Sequence, residues 1–287
     1  MKPLVKTFFD EDTFTASHVV IDPATNKAAI IDSVLDFDQA SGRTSSKSAN
    51  AIIAYIRDND FTVEWILETH VHADHLTAAS YLKEKLGGQT GISDKIDLVQ
   101  NVFAKVFNAE STFKRDGSHF DKLFADGETF KLGGIDAKVI HTPGHTPACA
   151  TIIIGDAGFV GDTLFMPDYG TARCDFPGGD ARTLFRSIQK IFALPPETRL
   201  FMCHDYKAPG RDDYVWETTV AEEREKNIHV RNGATEDEFV KMREARDKTL
   251  NMPRLILPSV QVNMRAGDFP PKEGNGVSYL KIPLNHV

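Results

Sequence analysis

Thr69-His70-Val71-His72-Ala73-Asp74-His75 gathers three histidines and an aspartate directly after the apolar run at 63–68. That run reads as a buried strand, and 76–86, ended by Gly87-Gly88, reads as a helix. In α/β folds ligands bind beyond the carboxyl ends of strands, so the junction is suited to a site. His70 and His72 are two residues apart and, in an extended stretch, point to one side. Asp74 and His75 are expected to open the helix and turn toward the same cavity, with Asp74 also available as an N-cap.

Three more segments have this character. His141-Thr142-Pro143-Gly144-His145-Thr146 follows a strand at 138–141. Gly161-Asp162-Thr163-Leu164 follows a hairpin whose strands, 150–154 and 159–160, flank Gly155-Asp156-Ala157-Gly158. Phe201-Met202-Cys203-His204-Asp205-Tyr206 contains the end of a strand at 199–203. Taken singly, His141 and His204 are ordinary structural histidines. As a set, histidines and carboxylates placed just past apolar strands make a transition-metal site. The ligand inventory permits two metals or one. Two zinc ions would generate a hydroxide and polarise a carbonyl. One non-heme iron(II) needs only two histidines and a carboxylate, leaving positions open for substrate and dioxygen.

THVHADH, HTPGHT, GDTLF and CHDY, in this order, resemble the metallo-β-lactamase superfamily over roughly residues 17–206. The resemblance implies an α/β protein, an αβ/βα four-layer sandwich with the metal site at one edge between two sheets. It assigns seven site positions: His70, His72, Asp74, His75, His145, Asp162 and His204. A binuclear arrangement would place His70, His72, His145 and Asp162 on one metal, and Asp74, His75, His204 and Asp162 on the other. GDTLF, the stretch GTARCDFPGGD at 170–180 and the tail NGVSYLKIP at 275–283 are similar to the bacterial persulfide dioxygenases and their β-lactamase-like hydrolase relatives. That branch implies oxidation of glutathione persulfide by O2 to sulfite and glutathione. It also implies one Fe(II) per chain, held by His70, His145 and Asp162, with His72, Asp74, His75 and His204 orienting those ligands. A glyoxalase II-like thioester hydrolase with two zinc or mixed metals is the competing implication.

Glutathione carries two carboxylates, so its site should be basic or hydroxyl-bearing. Arg173, in a Gly-flanked loop, is the first candidate, because guanidinium pairs bidentately with carboxylate; a structural ion pair with Asp162, Asp175 or Asp180 is its bland alternative. Tyr206 matches a position that the related glyoxalase II enzymes use for glutathione. Asp175 and Lys207 are further candidates. Cys174 and Cys149 read as structural.

The chain has 287 residues, with 33 basic against 41 acidic, a formal net charge of −8 and no basic block. That composition argues against nucleic-acid or anionic-membrane binding. No apolar run approaches the roughly 18 residues of a membrane span, and the N-terminal MKPLVKTFFDEDTF lacks the apolar stretch of a secretory signal. Three scattered cysteines form no disulfide framework, so a cytoplasmic location is expected. One domain over 1–287 is expected: a core to about residue 207 and a C-terminal helical and strand extension over about 208–287. Charged helices are read at 216–227 and 236–250, the second opened by a Thr235/Glu238 capping box. The family resemblance implies self-association, most simply as a dimer. Four of the ten histidines, His18, His119, His229 and His286, have no assigned role.

Overall fold

A computed structural model describes residues 2–286. In chain order its strands are β1 (Leu4–Asp10), β2 (Thr15–Asp22), β3 (Lys27–Ile31), β4 (Val34–Asp38), β5 (Arg43–Ser45), β6 (Thr62–Leu67), β7 (Leu76–Thr77), β8 (Gln89–Ser93), β9 (Lys122–Phe124), β10 (Thr129–Leu132), β11 (Ile135–His141), β12 (Ala150–Ile154), β13 (Ala157–Phe159), β14 (Arg199–Phe201) and β15 (Glu217–Thr219). The helices are α1 (Lys47–Asp58), α2 (Ala79–Leu86), α3 (Ile96–Val106), α4 (Ala181–Phe192), α5 (Val220–Lys226), α6 (Glu236–Asp247) and α7 (Ile256–Asn263).

The strands build two six-stranded sheets, β1-β2-β3-β6-β8-β9 and β10-β11-β12-β13-β14-β15, with a small third sheet β5-β4-β7. In the first, the β1–β3 pairs are antiparallel and the β3, β6, β8 and β9 pairs parallel. Val20, Ile31 and Leu67 of the first sheet pack against Val139, Ile152 and Phe159 of the second, which is the apolar layer between them. The outer face of the first sheet is covered by Ile52, Ile56 and Leu82 from α1 and α2. The second is covered by Leu184, Ile188 and Ile191 from α4, with Phe239 of α6 against them. This is the αβ/βα sandwich expected from the motifs. It arises because β2, β3 and β12 are apolar on both faces, whereas α1 and α4 carry a single apolar stripe.

Several expected boundaries shift. The segment 76–86 is not one helix: Leu76–Thr77 pairs with β4, and α2 starts only at Ala79. Asp74 and His75 therefore lie in a loop, and Asp74 caps nothing; the N-cap of α2 is Ala78. The cause is Asn263 of α7. Its Oδ1 accepts from Thr77 N (2.8 Å), and its Nδ2 donates to the carbonyls of His72 (2.9 Å) and His75 (2.8 Å). Those backbone groups are thus satisfied without a helical turn. The segment 216–227 divides into β15 and α5, because β-branched Thr218 and Thr219 join the sheet edge before Thr219 caps α5 by accepting from Glu222 N. The polar stretch 41–46 contains β5. Helix α6 begins with the expected capping box, whereas α3 and α7 were not anticipated. The apolar tail at 277–282 lies in no helix or strand; Leu280 packs on the core, and Gln261 holds the main chain of Lys281 on both sides.

Candidate metal centre

Five imidazoles converge at the strand ends, and each has one nitrogen tied back into the protein. His145 donates from Nδ1 to the Arg173 carbonyl at 2.8 Å. Thr69 Oγ1 donates to Asp32 Oδ2 (2.8 Å) and so accepts from His70 Nδ1 (3.0 Å). His72 donates from Nε2 to both Asp32 Oδ1 and Glu68 Oε2, each at 3.0 Å. His75 Nδ1 donates to Asp74 Oδ1 at 3.1 Å, and His204 Nδ1 to the Phe14 carbonyl at 3.2 Å. These outer contacts leave the second nitrogen of each ring facing the site.

The inward atoms are what a cation would need. His72 Nδ1, His75 Nε2 and Asp162 Oδ1 are buried and make no hydrogen bond. Buried polar atoms without partners are costly, so three in one place indicate a ligand. Asp162 Oδ2 lies 3.6 Å from His145 Nε2 and 4.0 Å from His70 Nε2. Donors each about 2.0–2.2 Å from one ion are themselves roughly 3–4 Å apart, so these separations suit a shared metal. Four overlapping donor groups each lie within 4.8 Å; beside Asp32, His72 and Cys203, and Asp162, Cys203 and His204, the two main ones are His70, His145 and Asp162, and, second, His72, Asp74, His75 and His204. The second is more closed, with His204 Nε2 2.9 Å from Asp74 Oδ2.

Local sequence explains the convergence. Asp162 stands in a 3₁₀ turn, Gly161–Thr163, just past β13. Gly161 has φ +52°, and a Cβ there would come within 2.5 Å of Thr69 Oγ1, so only glycine lets this turn approach the His70 support. His145 follows Gly144, whose φ of +139° and close approach to the Leu184 backbone exclude a side chain.

The charges follow the packing. Burial lowers His70 well below its ordinary range, reinforced by His72 and His145, and lowers His75 to about 4. Burial opposes the charged form of His204, but Asp74 and Asp162 outweigh it and hold it at about 9. His72 is likewise held well above its ordinary range by Asp32 and Glu68, against burial. Burial pushes Asp162 and Glu68 up. A metal binding here therefore displaces protons held by the same donors.

A cavity of about 370 Å³ opens onto Asp74, His145 and Asp162. Phe14, Phe165, Tyr169 and Tyr206 wall one side, and Thr171, Ala172 and Arg173 another. Tyr206 and Arg173 are thus at the cavity, whereas Asp175 and Lys207 are not among its lining residues. Arg173 is held by Asp175 through Nε (2.5 Å) and Nη2 (2.6 Å), and its Nη1 donates to the Asn251 carbonyl. Lys207 lies over the Tyr214 ring at 4.3 Å. Cys174 and Cys149 are buried, and burial pushes the Cys149 thiol up to about 12. His141 donates from Nε2 to the Phe124 carbonyl, His18 bridges Thr7 and Met202, and His229 accepts from Thr171 N. Asp32, Glu68 and Asn263 were missed by sequence reasoning; only Asp32, ending an apolar strand as Asp162 does, carried a comparable signal.

The family model of the metallo-beta-lactamase superfamily matches residues 12–204. The chain belongs to the metallo-β-lactamase superfamily. It is 55% identical over 293 residues to a "Probable metallo-hydrolase" of Burkholderia pseudomallei, covering 99% of each chain. It is 51% identical to "Glyoxylase B2" of Dictyostelium discoideum, covering 100% of this chain and 98% of the other. Among solved structures, ETHE1 from Myxococcus xanthus superposes with a TM-score of 0.73 at 29% identity, covering 92% of this chain and 100% of that one. Among the described residues no helix is long and apolar enough to cross a membrane.

Proposed function

We propose that the protein is an iron(II)-dependent persulfide dioxygenase that oxidises glutathione persulfide with O2 to sulfite and glutathione. The observation that carries this reading is that His70, His145 and Asp162 gather as two histidines and a carboxylate, while in the adjoining set, which Asp162 also approaches at 3.5 Å from His204, Asp74 and His204 contact each other directly. Two histidines and one carboxylate leave positions open for substrate and O2. Iron(II) bound there supplies the redox chemistry that joins O2 to the substrate sulfur. Similarity to "Persulfide dioxygenase ETHE1, mitochondrial" of Homo sapiens, 28% identical over 92% of this chain and 89% of the other, and to the Myxococcus ETHE1 structure supports the same reading.

The chain's own groups do the rest. The Asp32–Thr69 relay orients His70, and the Arg173 carbonyl orients His145. Phe14, Phe165 and Tyr169 exclude water from the reacting end of the substrate. Burial, with Asp74 and Asp162 nearby, pushes the Tyr206 hydroxyl well above 10, so it stays a neutral donor for an anionic sulfur. Arg173 shapes the glutathione site as an anchored loop, its charge already matched by Asp175. Residues 1–287 are read as one catalytic domain because Asn263, in the C-terminal extension, holds the histidine loop.

A binuclear glyoxalase II-like hydrolase is the second reading. It is favoured by the partnerless His72 Nδ1 and His75 Nε2, which could serve a second ion, and by the two closely similar relatives' names. Metal content of protein produced with iron and zinc both available separates the two. One iron per chain is expected; two metals per chain, with hydrolysis of S-lactoylglutathione, would favour the hydrolase.

A further inference from the structure

Arg211 uses every donor of its guanidinium. Nη1 and Nη2 donate to Asp205 Oδ2 (2.6 Å) and Oδ1 (2.7 Å), and Nε and Nη2 donate to Asp168 Oδ2 (2.7 Å) and Oδ1 (3.1 Å). Nη1 also donates to the Asp213 carbonyl at 2.8 Å. One planar group thus forks onto two carboxylates at once, a geometry that a lysine cannot reproduce. Local sequence delivers it there. Lys207 and Gly210 take φ of +61° and +91°, and Arg211 N donates to the Ala208 carbonyl at 2.9 Å, so the chain doubles back onto Asp205.

The two carboxylates belong to separate segments. Asp205 is buried and directly precedes Tyr206; Asp168 is exposed and directly precedes Tyr169. Tyr206 and Tyr169 both line the cavity over the metal centre, with ring centroids 5.3 Å apart. The turn at 166–170 is held separately, by Asn227 Nδ2 on the Gly170 carbonyl (3.0 Å) and Ile228 N on the Pro167 carbonyl (2.9 Å). Asp205 N instead donates to the Phe14 carbonyl at 3.2 Å, beside the start of β2. Among the described residues, Arg211 provides the only hydrogen-bonded link between 166–170 and 205–206. Arg211 itself is not among the residues that line the cavity.

We propose that Arg211 is a positioning residue: by locking Asp205 to Asp168 it fixes Tyr206 against Tyr169 and so sets the width of the cavity through which the thiol carrier reaches the metal centre. The inference rests on the proposed persulfide reaction for the identity of the substrate alone. Without the clamp the two tyrosine-bearing segments move independently, the cavity widens, and the substrate loses its single productive pose.

Asp168→Ala is the cleaner test, because Asp168 is exposed and its loss leaves Asp205 matched by Arg211; an exposed ion pair contributes little to stability. Arg211→Lys keeps a charge beside Asp205 but not the double fork. Both variants are compared with the parent as full-length, iron-loaded protein, by kinetics with glutathione persulfide, iron content, thermal unfolding and calorimetric binding of glutathione. Asp168→Ala is expected to keep its iron and nearly its unfolding temperature, while KM rises and glutathione affinity falls, each roughly tenfold. Arg211→Lys should show the same shift, and the double variant should be no worse than Arg211→Lys, since both changes cut one link. If the parent consumes no O2 the dioxygenase reading falls, and the clamp is judged by the same tenfold shifts in glutathione affinity and in KM for S-lactoylglutathione. Unchanged KM and glutathione affinity in Asp168→Ala, or a fall in kcat that only tracks lost iron, would overturn the inference.

Discussion

His145 Nδ1 donates to the main-chain carbonyl of Arg173 at 2.8 Å, while the Arg173 guanidinium is clasped by Asp175 and reaches the Asn251 carbonyl. One residue therefore fixes the orientation of a candidate metal ligand through its backbone and ties the cavity wall to the segment after α6 through its side chain. R173Q should release this loop and lower both iron occupancy and kcat, with kcat/KM falling roughly 10–100-fold, the usual cost of losing a group that orients a ligand. Iron content measured beside kcat and KM checks this. A pure KM effect with full iron would mean that Arg173 acts only on the substrate.

His145→Ala and His204→Ala should part company. The first removes a donor of the His70–His145–Asp162 set and should abolish iron binding. The second removes a ring already in contact with Asp74 and should leave most of the iron bound. Metal analysis of both purified variants is the check. Loss of all metal in His204→Ala would favour the two-metal centre.

Asn263→Ala should be among the most damaging changes distant in sequence from the motifs. It leaves the carbonyls of His72 and His75 and the N–H of Thr77 without partners in a buried loop. Stranded buried groups cost about 1–3 kcal/mol each when no water reaches them, so a loss of roughly 3 kcal/mol is expected in urea unfolding. Iron affinity should fall with it. Asn263→Asp keeps the acceptor for Thr77 but turns a carboxylate oxygen toward the His72 and His75 carbonyls, and should be at least as damaging.

Glu223 supplies a pH-dependent prediction away from the metal. Burial raises its carboxyl to about 8, opposed by its hydrogen bond from Asn227, with Glu222 and Asp168 adding to the rise. The folded state thus holds the proton more tightly than the unfolded chain, where a glutamate titrates near 4.5. Its contribution to stability is intact below that value, erodes as pH rises to about 8 and is flat above. Glu223→Gln should match the parent in acid and become more stable than it toward pH 8, by on the order of 1–3 kcal/mol. Denaturant midpoints at several pH values measure this; a constant difference across the range would contradict it.

The candidate ligands were legible in the sequence because each one lies just past an apolar strand, a pattern that local periodicity reveals. Helix α4 and the Thr235 cap of α6 were legible for the same reason: an apolar stripe and a side chain three residues from its backbone partner. The supports were not. Asp32 reaches Thr69 and His72 only because β3 and β6 pair in parallel. Asn263 reaches the histidine loop across 191 residues of chain. Such contacts carry no spacing signal, and the same non-local bonds moved the start of α2 from Leu76 to Ala79. Arg173 and Asp175 show the opposite case: two residues apart in an extended stretch, they could pair locally, so the first candidate for the substrate cation was already matched.

The reaction proposed for this site is the oxidation of a persulfide by O2. Oxygen uptake and sulfite formation by anaerobically purified, iron-loaded protein given glutathione persulfide test it most directly. One O2 consumed for each sulfite released is expected, dependent on iron and absent in His145→Ala. No oxygen uptake, together with hydrolysis of S-lactoylglutathione by the same protein, would contradict it.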